Sequence, residues 1–340
     1  MRRPRGRRDA QHPAGHPQAT SSPVDLDERP PVRPAQDRRT DLFIVGTMYS
    51  GSTYLGGLLA ANLQAAYVGE MAHLPKFMKD YRLYDDEIGC LLCSSEGVPC
   101  PVWSDDTVAA AEEAGPAGSM EVLRQRTGRQ LVIDGSKFPE WLRQSTNNRS
   151  PAAAPCAVIV AVRSPLRYVL SAAGGTGAPL WVAAQWWRDT YIDTLRTTSR
   201  LGLPMLVVRN EDVRARPEQV VAGVAQLVGR EAPATLQPAE STHSVAGNLW
   251  VQKGYSADTD ALHYKLGLRE KPEGTPATET WDNVAAGASI TARTRPQNRT
   301  DTVTLAQIVL DCPGLTDLAH SFGYELAREM DTLIREVEGA

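Results

Sequence analysis

The sequence lacks several features that would assign it at once to a common class of protein. No apolar run approaches the roughly 20 residues that a membrane-spanning helix needs, so we expect no membrane partner. The formal net charge of −4 at pH 7 argues against a general nucleic-acid binder. Five cysteines are an odd number and no apolar signal segment accompanies them, so a reducing cytoplasm is the expected compartment.

The length and the apolar content are those of a folded protein. A chain of 340 residues that is 42% hydrophobic suits one large α/β domain or two small ones. Residues 1–39 differ, because they are rich in Arg and Pro and hold few large apolar side chains to offset the entropy of ordering. We therefore predict a disordered tail over residues 1–39 and a folded domain over 40–340, with insertions at about 76–128 and 238–300. The oligomeric state is not readable.

Near-continuous apolar runs recur along this domain, and each is followed by a helix-like stretch. Such runs are typical of parallel strands that helices cover on both faces. The predicted strands are 41–47, 64–70, 130–136, 156–164 and 204–210. Strands that alternate with helices predict an α/β fold of three layers, with a mostly parallel central sheet between helices. Ligands of such folds bind at the carboxyl ends of the strands.

The first predicted strand leads into a turn rich in Gly and Ser and then into a helix, FIVGTMYSGSTYLGGLL. Small residues here let backbone N–H groups surround an anion, and the helix start adds the positive end of its dipole. A Walker A loop would have lysine after its second glycine, but Ser52 follows Gly51, which removes a main support for nucleoside triphosphate chemistry. The pattern predicts a metal-free site for a phosphate ester, with a plain strand-to-helix turn as the alternative. The candidate binding residues are Thr47, Tyr49, Ser50, Gly51, Ser52 and Thr53.

A second candidate anion site lies in VRSPLRYVLSA. Arg163 ends a predicted strand, Pro165 suits the start of a helix, and Ser171 lies two turns along that helix. Arg163 and Ser171 can therefore converge on one phosphate, with the arginine binding through its fork of donors. A surface ion pair of Arg163 is the alternative.

Together these segments resemble the phosphate-binding elements of sulfotransferases that use 3′-phosphoadenylyl sulfate (PAPS), in particular a bacterial subgroup similar to carbohydrate sulfotransferases. Four further segments resemble motifs of that family in the same order: AYVGEMAHLPKF, VIDGSKFPEWL, VVRNEDVRARPEQVVAGVAQLVG and HSVAGN. The resemblance covers roughly residues 40–330. It implies a P-loop NTPase-like fold and metal-free transfer of a sulfuryl group from PAPS to a hydroxyl or amine. The acceptor would be a small molecule or carbohydrate, and the subgroup implies a role in specialised metabolism.

The resemblance also implies roles for single residues. The loop would hold the 5′-phosphosulfate, while Arg163 and Ser171 would hold the 3′-phosphate. Glu70 is the first candidate for the base that removes the acceptor's proton, with a pKa raised by partial burial. His73 and His243 are the alternative bases. Members of the family carry Lys or Arg where this loop has Tyr49, so Lys137 is the candidate cation for the leaving oxygen.

Other residues at strand ends and on helices have less defined roles. Arg209 follows a predicted strand and either touches the nucleotide or pairs with Glu211 or Asp212. Asp134 is interpreted as a structural acceptor that organises the turn at Ser136 and Lys137. Three tryptophans at helical spacing are expected to lie mostly in the core: Trp181, Trp186 and Trp187.

Two other functions stay open on the sequence alone. The loop also fits a P-loop kinase-like phosphotransferase, and Tyr49 also fits a nucleotide-binding relative without catalytic activity. Protection against thermal unfolding by MgATP would favour the first. Nucleotide binding without transfer to any acceptor would favour the second.

Three of the five cysteines are close together in the sequence. Cys90, Cys93 and Cys100 have the spacing C-x2-C-x6-C, whose first part is half of a zinc site. A fourth ligand would have to be His73, Cys156 or Cys312, and a disulfide is also open. We favour thiols that pack a small insertion, and we assign no metal.

Overall fold

The computed structural model of the chain describes residues 38–74, 90, 93, 100–176, 178–239, 242–245 and 299–339. Its centre is a five-stranded sheet with the order β2–β3–β1–β4–β5, in which all neighbouring strands are parallel. The strands are β1 (Thr40–Gly46), β2 (Ala65–Gly69), β3 (Leu131–Lys137), β4 (Cys156–Val162) and β5 (Met205–Arg209). All five predicted strands are therefore confirmed, with small shifts at their ends.

Helices cover both faces of this sheet, which confirms the predicted three-layer α/β fold. They are α1 (Ser52–Leu63), a 3₁₀ helix (Met71–His73), α2 (Asp105–Thr127), α3 (Pro139–Thr146), α4 (Pro165–Thr176), α5 (Leu180–Leu201), α6 (Asn210–Ala215), α7 (Pro217–Leu227), α8 (Arg299–Leu310), α9 (Leu315–Ser321) and α10 (Leu326–Glu338). None of the helices in the described ranges is long and apolar enough to cross a membrane.

Alternate side chains of β1 pack into two apolar clusters on opposite faces of the sheet, because successive side chains of a strand point to opposite faces. Leu42 and Ile44 belong to the apolar cluster that includes α1 and α7. Phe43 and Val45 belong to the cluster that includes α2, α4, α5 and the three C-terminal helices. Each of these four side chains is at most 2% exposed, which explains why the strand reads as a continuous apolar run.

The two predicted insertions differ in how far the structure describes them. The part of 76–128 from residue 105 onward is α2, whose start is capped by Ser104 Oγ accepting from Thr107 N–H at 3.3 Å. Gly115 interrupts this helix with φ 62° and precedes Pro116, so α2 consists of two helical arms. Most of the insertion at 238–300, and residues 1–37 of the predicted tail, lie outside the described residues.

A buried charge cluster joins α2 to the amino end of the sheet. Asp41, near the start of β1, is 1% exposed and binds Arg124 of α2 through one carboxylate oxygen. Its other oxygen binds Arg149, which follows α3. Burial raises the pKa of the Asp41 carboxyl, and the two guanidinium groups act against that rise. Both oxygens of this carboxylate are thus satisfied within the protein.

Candidate active site

The loop after β1 is fixed by side chains from α5 and from the start of α6. Tyr191 OH lies 3.1 Å from Thr47 Oγ1 and donates to the carbonyl of Ala161 at 2.8 Å. Asn210 Nδ2 donates to the carbonyl of Ser50 at 3.1 Å. Gly51 has φ 82°, and a Cβ there would lie 1.9 Å from Asn210 Nδ2, so the turn into α1 requires glycine. The loop backbone is thereby held before any ligand arrives.

Arg163 links this loop to the end of β4. Its Nη1 donates to the carbonyl of Tyr49 at 3.0 Å, although the two residues are 114 positions apart in the chain. The carbonyl of Arg163 in turn accepts from Trp187 Nε1 at 2.9 Å. Burial lowers the pKa of Arg163 to about 10, and the nearby Glu211 opposes that shift. A partly buried guanidinium whose desolvation is only partly compensated favours binding of an anion.

The two predicted anion sites therefore lie at the same edge of the sheet. β1 and β4 are adjacent, with Gly46 paired to Ala161, so their carboxyl ends open into one crevice. This crevice is also where the connections from β1 and from β4 diverge to opposite sides of the sheet. Ligands of open α/β sheets bind at such a switch point.

Several polar atoms of the loop after β1, of Arg163 and of α4 are buried and have no hydrogen-bond partner among the described residues. They are Ser50 Oγ, Ser171 Oγ and Arg163 Nε. Ser50 and Ser171 are at most 2% exposed, so bulk water does not compensate them. Unsatisfied buried polar groups are costly and uncommon in folded proteins. A polar ligand bound at this edge of the sheet would supply the missing partners.

Glu70 and Lys137 form a buried ion pair where β2 and β3 end. Lys137 Nζ donates to Glu70 Oε1, and His73 Nδ1 lies 3.3 Å from Glu70 Oε2. Burial would raise the pKa of the Glu70 carboxyl, but the charge of Lys137 and the hydrogen bonds of His73 and Lys137 outweigh it. The pKa of Glu70 is therefore below its ordinary value, and our expectation of a raised pKa is wrong. The sequence could not show that Lys137, which lies 67 residues further along the chain, forms an ion pair with Glu70.

Asp134 fixes the backbone that presents Lys137. Its Oδ1 accepts from Ser136 N–H at 2.7 Å, and its Oδ2 accepts from Trp141 Nε1 at 2.5 Å. The register of β3 against β1 shifts after Asp134, and Lys137 has φ 70°, which is rare for a residue with a side chain. Burial raises the pKa of Asp134 to about 6. These contacts agree with the structural role that we expected for Asp134.

The remaining predicted binding residues lie at the start of α1 and at the end of β5. Ser52 and Thr53 are buried in the first turn of α1, at the positive end of its dipole. Arg209 makes a two-pronged ion pair with Asp212, at 2.9 and 3.0 Å, which is the alternative that we left open. Its Nη1 donates to the carbonyl of Gly323 at 2.8 Å. Its donors are largely engaged within the protein.

Some residues that shape the site were not singled out from the sequence. Tyr191 and Asn210 hold the loop, and Trp187 orients Arg163. Trp187 is fully buried as expected, but Trp181 and Trp186 are exposed, so the core prediction was wrong for those two. Helical spacing showed that the tryptophans share a helix but not which side faces the sheet.

His243 lies among the three clustered cysteines. Its Nδ1 is 3.6, 3.3 and 3.7 Å from the Sγ atoms of Cys90, Cys93 and Cys100. No disulfide joins these three cysteines. The fourth ligands that we considered lie elsewhere: His73 faces Glu70, Cys156 binds Arg149, and Cys312 lies near Arg188. The group that could complete a cysteine site is thus His243, which we had considered only as a base.

A cavity of about 680 Å³ is lined by residues that directly follow Glu70 and Lys137 in the chain. Met71 and Leu74, which follow Glu70, line one side, and Phe138 and Trp141, which follow Lys137, line another. The kink of α2 at Gly115 also contributes to its wall. The cavity is therefore largely apolar, and Met71 in its wall is the chain neighbour of the candidate base.

Comparisons with known proteins complete the description of the site. Neither a scan of family models nor a search of curated proteins finds a match. Among solved structures, a sulfotransferase domain from the curacin biosynthetic pathway aligns at 17% identity over 69% of this chain and 99% of its own, with a TM-score of 0.41. A sulfotransferase domain from the Synechococcus PCC 7002 olefin synthase aligns at 16% identity over 74% and 95%, with a TM-score of 0.42. A sulfotransferase from Alicyclobacillus acidocaldarius aligns at 16% identity over 68% and 97%, with a TM-score of 0.36. These similarities are low, so the function proposed below rests on the residues of this chain.

Proposed function

We propose that this protein is a sulfotransferase that moves a sulfuryl group from PAPS to a hydroxyl or amine of a small molecule. The observation that carries the proposal is the contact between Arg163 and the carbonyl of Tyr49. It brings together two candidate phosphate sites that lie far apart in the chain, beside buried donors without partners. A nucleotide with phosphate groups at both its 3′ and 5′ positions has the chemistry to satisfy both sites.

The residues present fit such a nucleotide without a metal ion. Ser50 and the first turn of α1 offer hydroxyl, N–H and dipole stabilisation to the 5′ end. Arg163 Nε and Ser171 Oγ offer donors to the 3′-phosphate. Binding there restores the hydrogen bonds that these buried atoms lack and provides Arg163 with a counter-charge.

The transfer itself needs a base and a cation. The acceptor's O–H gives its proton to Glu70 while its oxygen forms a bond to sulfur and the bond from sulfur to the 5′-phosphate oxygen breaks. The released 3′-phosphoadenosine 5′-phosphate takes the bonding electrons as negative charge on that oxygen. Lys137 is paired in register with Val45 of β1, which places its backbone beside the strand that leads into the loop. It is our candidate to stabilise this charge, as a donor aimed where charge develops.

The ion pair of Glu70 and Lys137 couples these two roles. We propose that Lys137 turns from Glu70 towards the phosphosulfate when the donor binds. Burial then acts on Glu70 with less opposition, so the pKa of Glu70 rises and the carboxylate becomes a stronger base. The strained backbone at Lys137, with φ 70°, favours a side chain that is held for such a function.

The cavity lined by Met71, Phe138 and Trp141 is the proposed acceptor site. Phe138 and Trp141 offer aromatic surface, and the volume of about 680 Å³ is that of a small-molecule site. These features favour an acceptor with an apolar body whose hydroxyl or amine points to Glu70. A carbohydrate without an apolar part would leave this surface uncovered.

The experiment that tests the function measures the release of 3′-phosphoadenosine 5′-phosphate from PAPS with a panel of phenols, alcohols and amines. We expect release that depends on an acceptor, formation of the sulfated product, and no requirement for Mg²⁺. Thermal protection should be greater with 3′-phosphoadenosine 5′-phosphate than with MgATP. Greater protection by MgATP would instead favour a phosphotransferase. Binding without transfer to any acceptor would contradict the enzymatic proposal.

A further inference from the structure

Cys90, Cys93, Cys100 and His243 form a compact group outside the proposed catalytic machinery. Their Sγ and Nδ1 atoms all lie within 4.8 Å of one another. The three cysteines are at most 5% exposed, and the histidine comes from a segment more than 140 residues further along the chain. Three thiols and one imidazole nitrogen thus converge on a single point.

The separations fit one tetrahedral metal ion. With Zn–S bonds of about 2.3 Å and a Zn–N bond of about 2.0–2.1 Å, tetrahedral geometry sets the sulfur and nitrogen atoms about 3.6 Å apart. The three observed separations of Nδ1 and Sγ are 3.6, 3.3 and 3.7 Å. A disulfide would engage only two of the sulfurs, and none is formed. An iron–sulfur cluster with two irons would spread its ligands further.

Hydrogen bonds around the group match the needs of thiolate ligands. Cys93 N–H donates to Cys90 Sγ at 3.4 Å, and Trp103 N–H donates to Cys100 Sγ at 3.3 Å. Trp103 Nε1 also donates to the carbonyl of His243 at 2.7 Å, so the tryptophan binds both halves of the group. Such outer contacts orient ligands and stabilise sulfur in its charged form.

We propose that these four residues bind a structural zinc ion as a Cys₃His site. All four positions are filled by protein atoms, which distinguishes a structural from a catalytic zinc. The ion ties the cysteine-containing insertion to residues 242–245. Val245 N–H donates to the carbonyl of Val68 at 2.9 Å, and the Val245 carbonyl accepts from Glu70 N–H at 2.6 Å. The zinc site thereby anchors the segment that pairs with β2 next to Glu70.

The first test is the metal content of the full-length protein after its affinity tag has been removed. We expect one zinc per chain by inductively coupled plasma mass spectrometry. Replacement by Co²⁺ should give thiolate-to-cobalt charge-transfer absorption and the intense visible bands of a tetrahedral ion. Less than about a tenth of an equivalent of zinc, iron in place of zinc, or a cobalt spectrum without thiolate bands would overturn the proposal.

Variants then assign the ligands. Cys93→Ala and His243→Ala should each lower the zinc that survives dialysis against a chelator by at least about tenfold. Cys156→Ala and Cys312→Ala are the matched controls and should retain a full equivalent. Equal loss in the controls, or no loss in the ligand variants, would contradict the assignment. Should a ligand variant fail to fold, the wild-type cobalt spectrum still decides. Metal content is measured without turnover. The zinc proposal is therefore tested independently of the proposed sulfotransferase activity.

Discussion

Arginine side chains at the two ends of the central sheet have different partners, a carboxylate at the amino end and a backbone carbonyl at the carboxyl end. At the amino end, Arg124 and Arg149 satisfy both oxygens of Asp41, so the charges compensate one another within the protein. At the carboxyl end, Ser50, Ser171 and Arg163 keep buried polar atoms that have no partner among the described residues. The first arrangement stabilises the fold, whereas the second leaves capacity for a ligand. Unmet hydrogen bonds alone do not mark a functional site, since Ser145 Oγ and Arg149 Nε are also buried without a described partner. The carboxyl end is the candidate site because its unmet donors accompany Arg163 and the start of α1.

The largest expected effect is structural and lies at the amino end. Arg124→Met removes one cation from a buried carboxylate and should lower the free energy of unfolding by about 3–5 kcal/mol. Denaturant titration measures this loss, and Arg126→Met, an exposed arginine of the same helix, is the control. The affinity of the folded variant for 3′-phosphoadenosine 5′-phosphate should stay within about twofold of wild type. A large loss of affinity with little change in stability would contradict the purely structural role of Arg124 at the amino end.

The next largest effect is expected on catalysis, from a substitution at the carboxyl end of the sheet. Lys137→Ala removes the proposed cation at the leaving oxygen and should lower kcat by about 10²–10³, equal to about 3–4 kcal/mol. Single-turnover kinetics measures this step, with Arg335→Ala as a control that removes an exposed cation. Binding of 3′-phosphoadenosine 5′-phosphate should weaken as well, since this product carries the charge that Lys137 would stabilise. A kcat within about threefold of wild type would exclude Lys137 from the reaction.

A smaller effect is expected for Ser171→Ala. Because Ser171 Oγ has no partner among the described residues, its removal costs no internal hydrogen bond there and should leave stability nearly unchanged. Loss of its bond to the nucleotide should weaken binding about tenfold, equal to about 1–1.5 kcal/mol. Ser145→Ala is a matched control, since Ser145 Oγ is also buried and unpartnered in the described part of the chain but lies on α3. Equal affinity in both variants would mean that Ser171 does not touch the nucleotide.

The smallest expected effect concerns pH. Because Lys137 and His73 hold the pKa of Glu70 below 4.5, its ordinary value, Glu70 is deprotonated throughout the neutral range. The acidic limb of kcat/KM for PAPS should therefore lie below that value. At saturating donor, the limb in kcat should move upward, since Lys137 no longer opposes the effect of burial. An acidic limb that lies above 4.5 and does not move between the two conditions would contradict the role of Glu70 as the base.

Local patterns were sufficient to predict the architecture but not the contacts of the site. Parallel strands buried on both faces read as continuous apolar runs, so β1 and β4 could be located from the sequence. The direction of the pKa shift of Glu70 could not be predicted, because it depends on Lys137, which lies on another strand. His243 was likewise separated from Cys90 by 153 positions, so no spacing rule connected them. Contacts between residues that are distant in the sequence and meet only in the folded chain cannot be predicted from local sequence patterns.

The central claim is that Arg163 and the loop after β1 hold one nucleotide between them. Titration calorimetry with 3′-phosphoadenosine 5′-phosphate tests it most directly, on wild type, Arg163→Ala and the control Arg335→Ala. We predict that Arg163→Ala weakens binding by at least about 100-fold, equal to about 3 kcal/mol, while the control binds like wild type. Equal affinity of wild type and Arg163→Ala would contradict the claim.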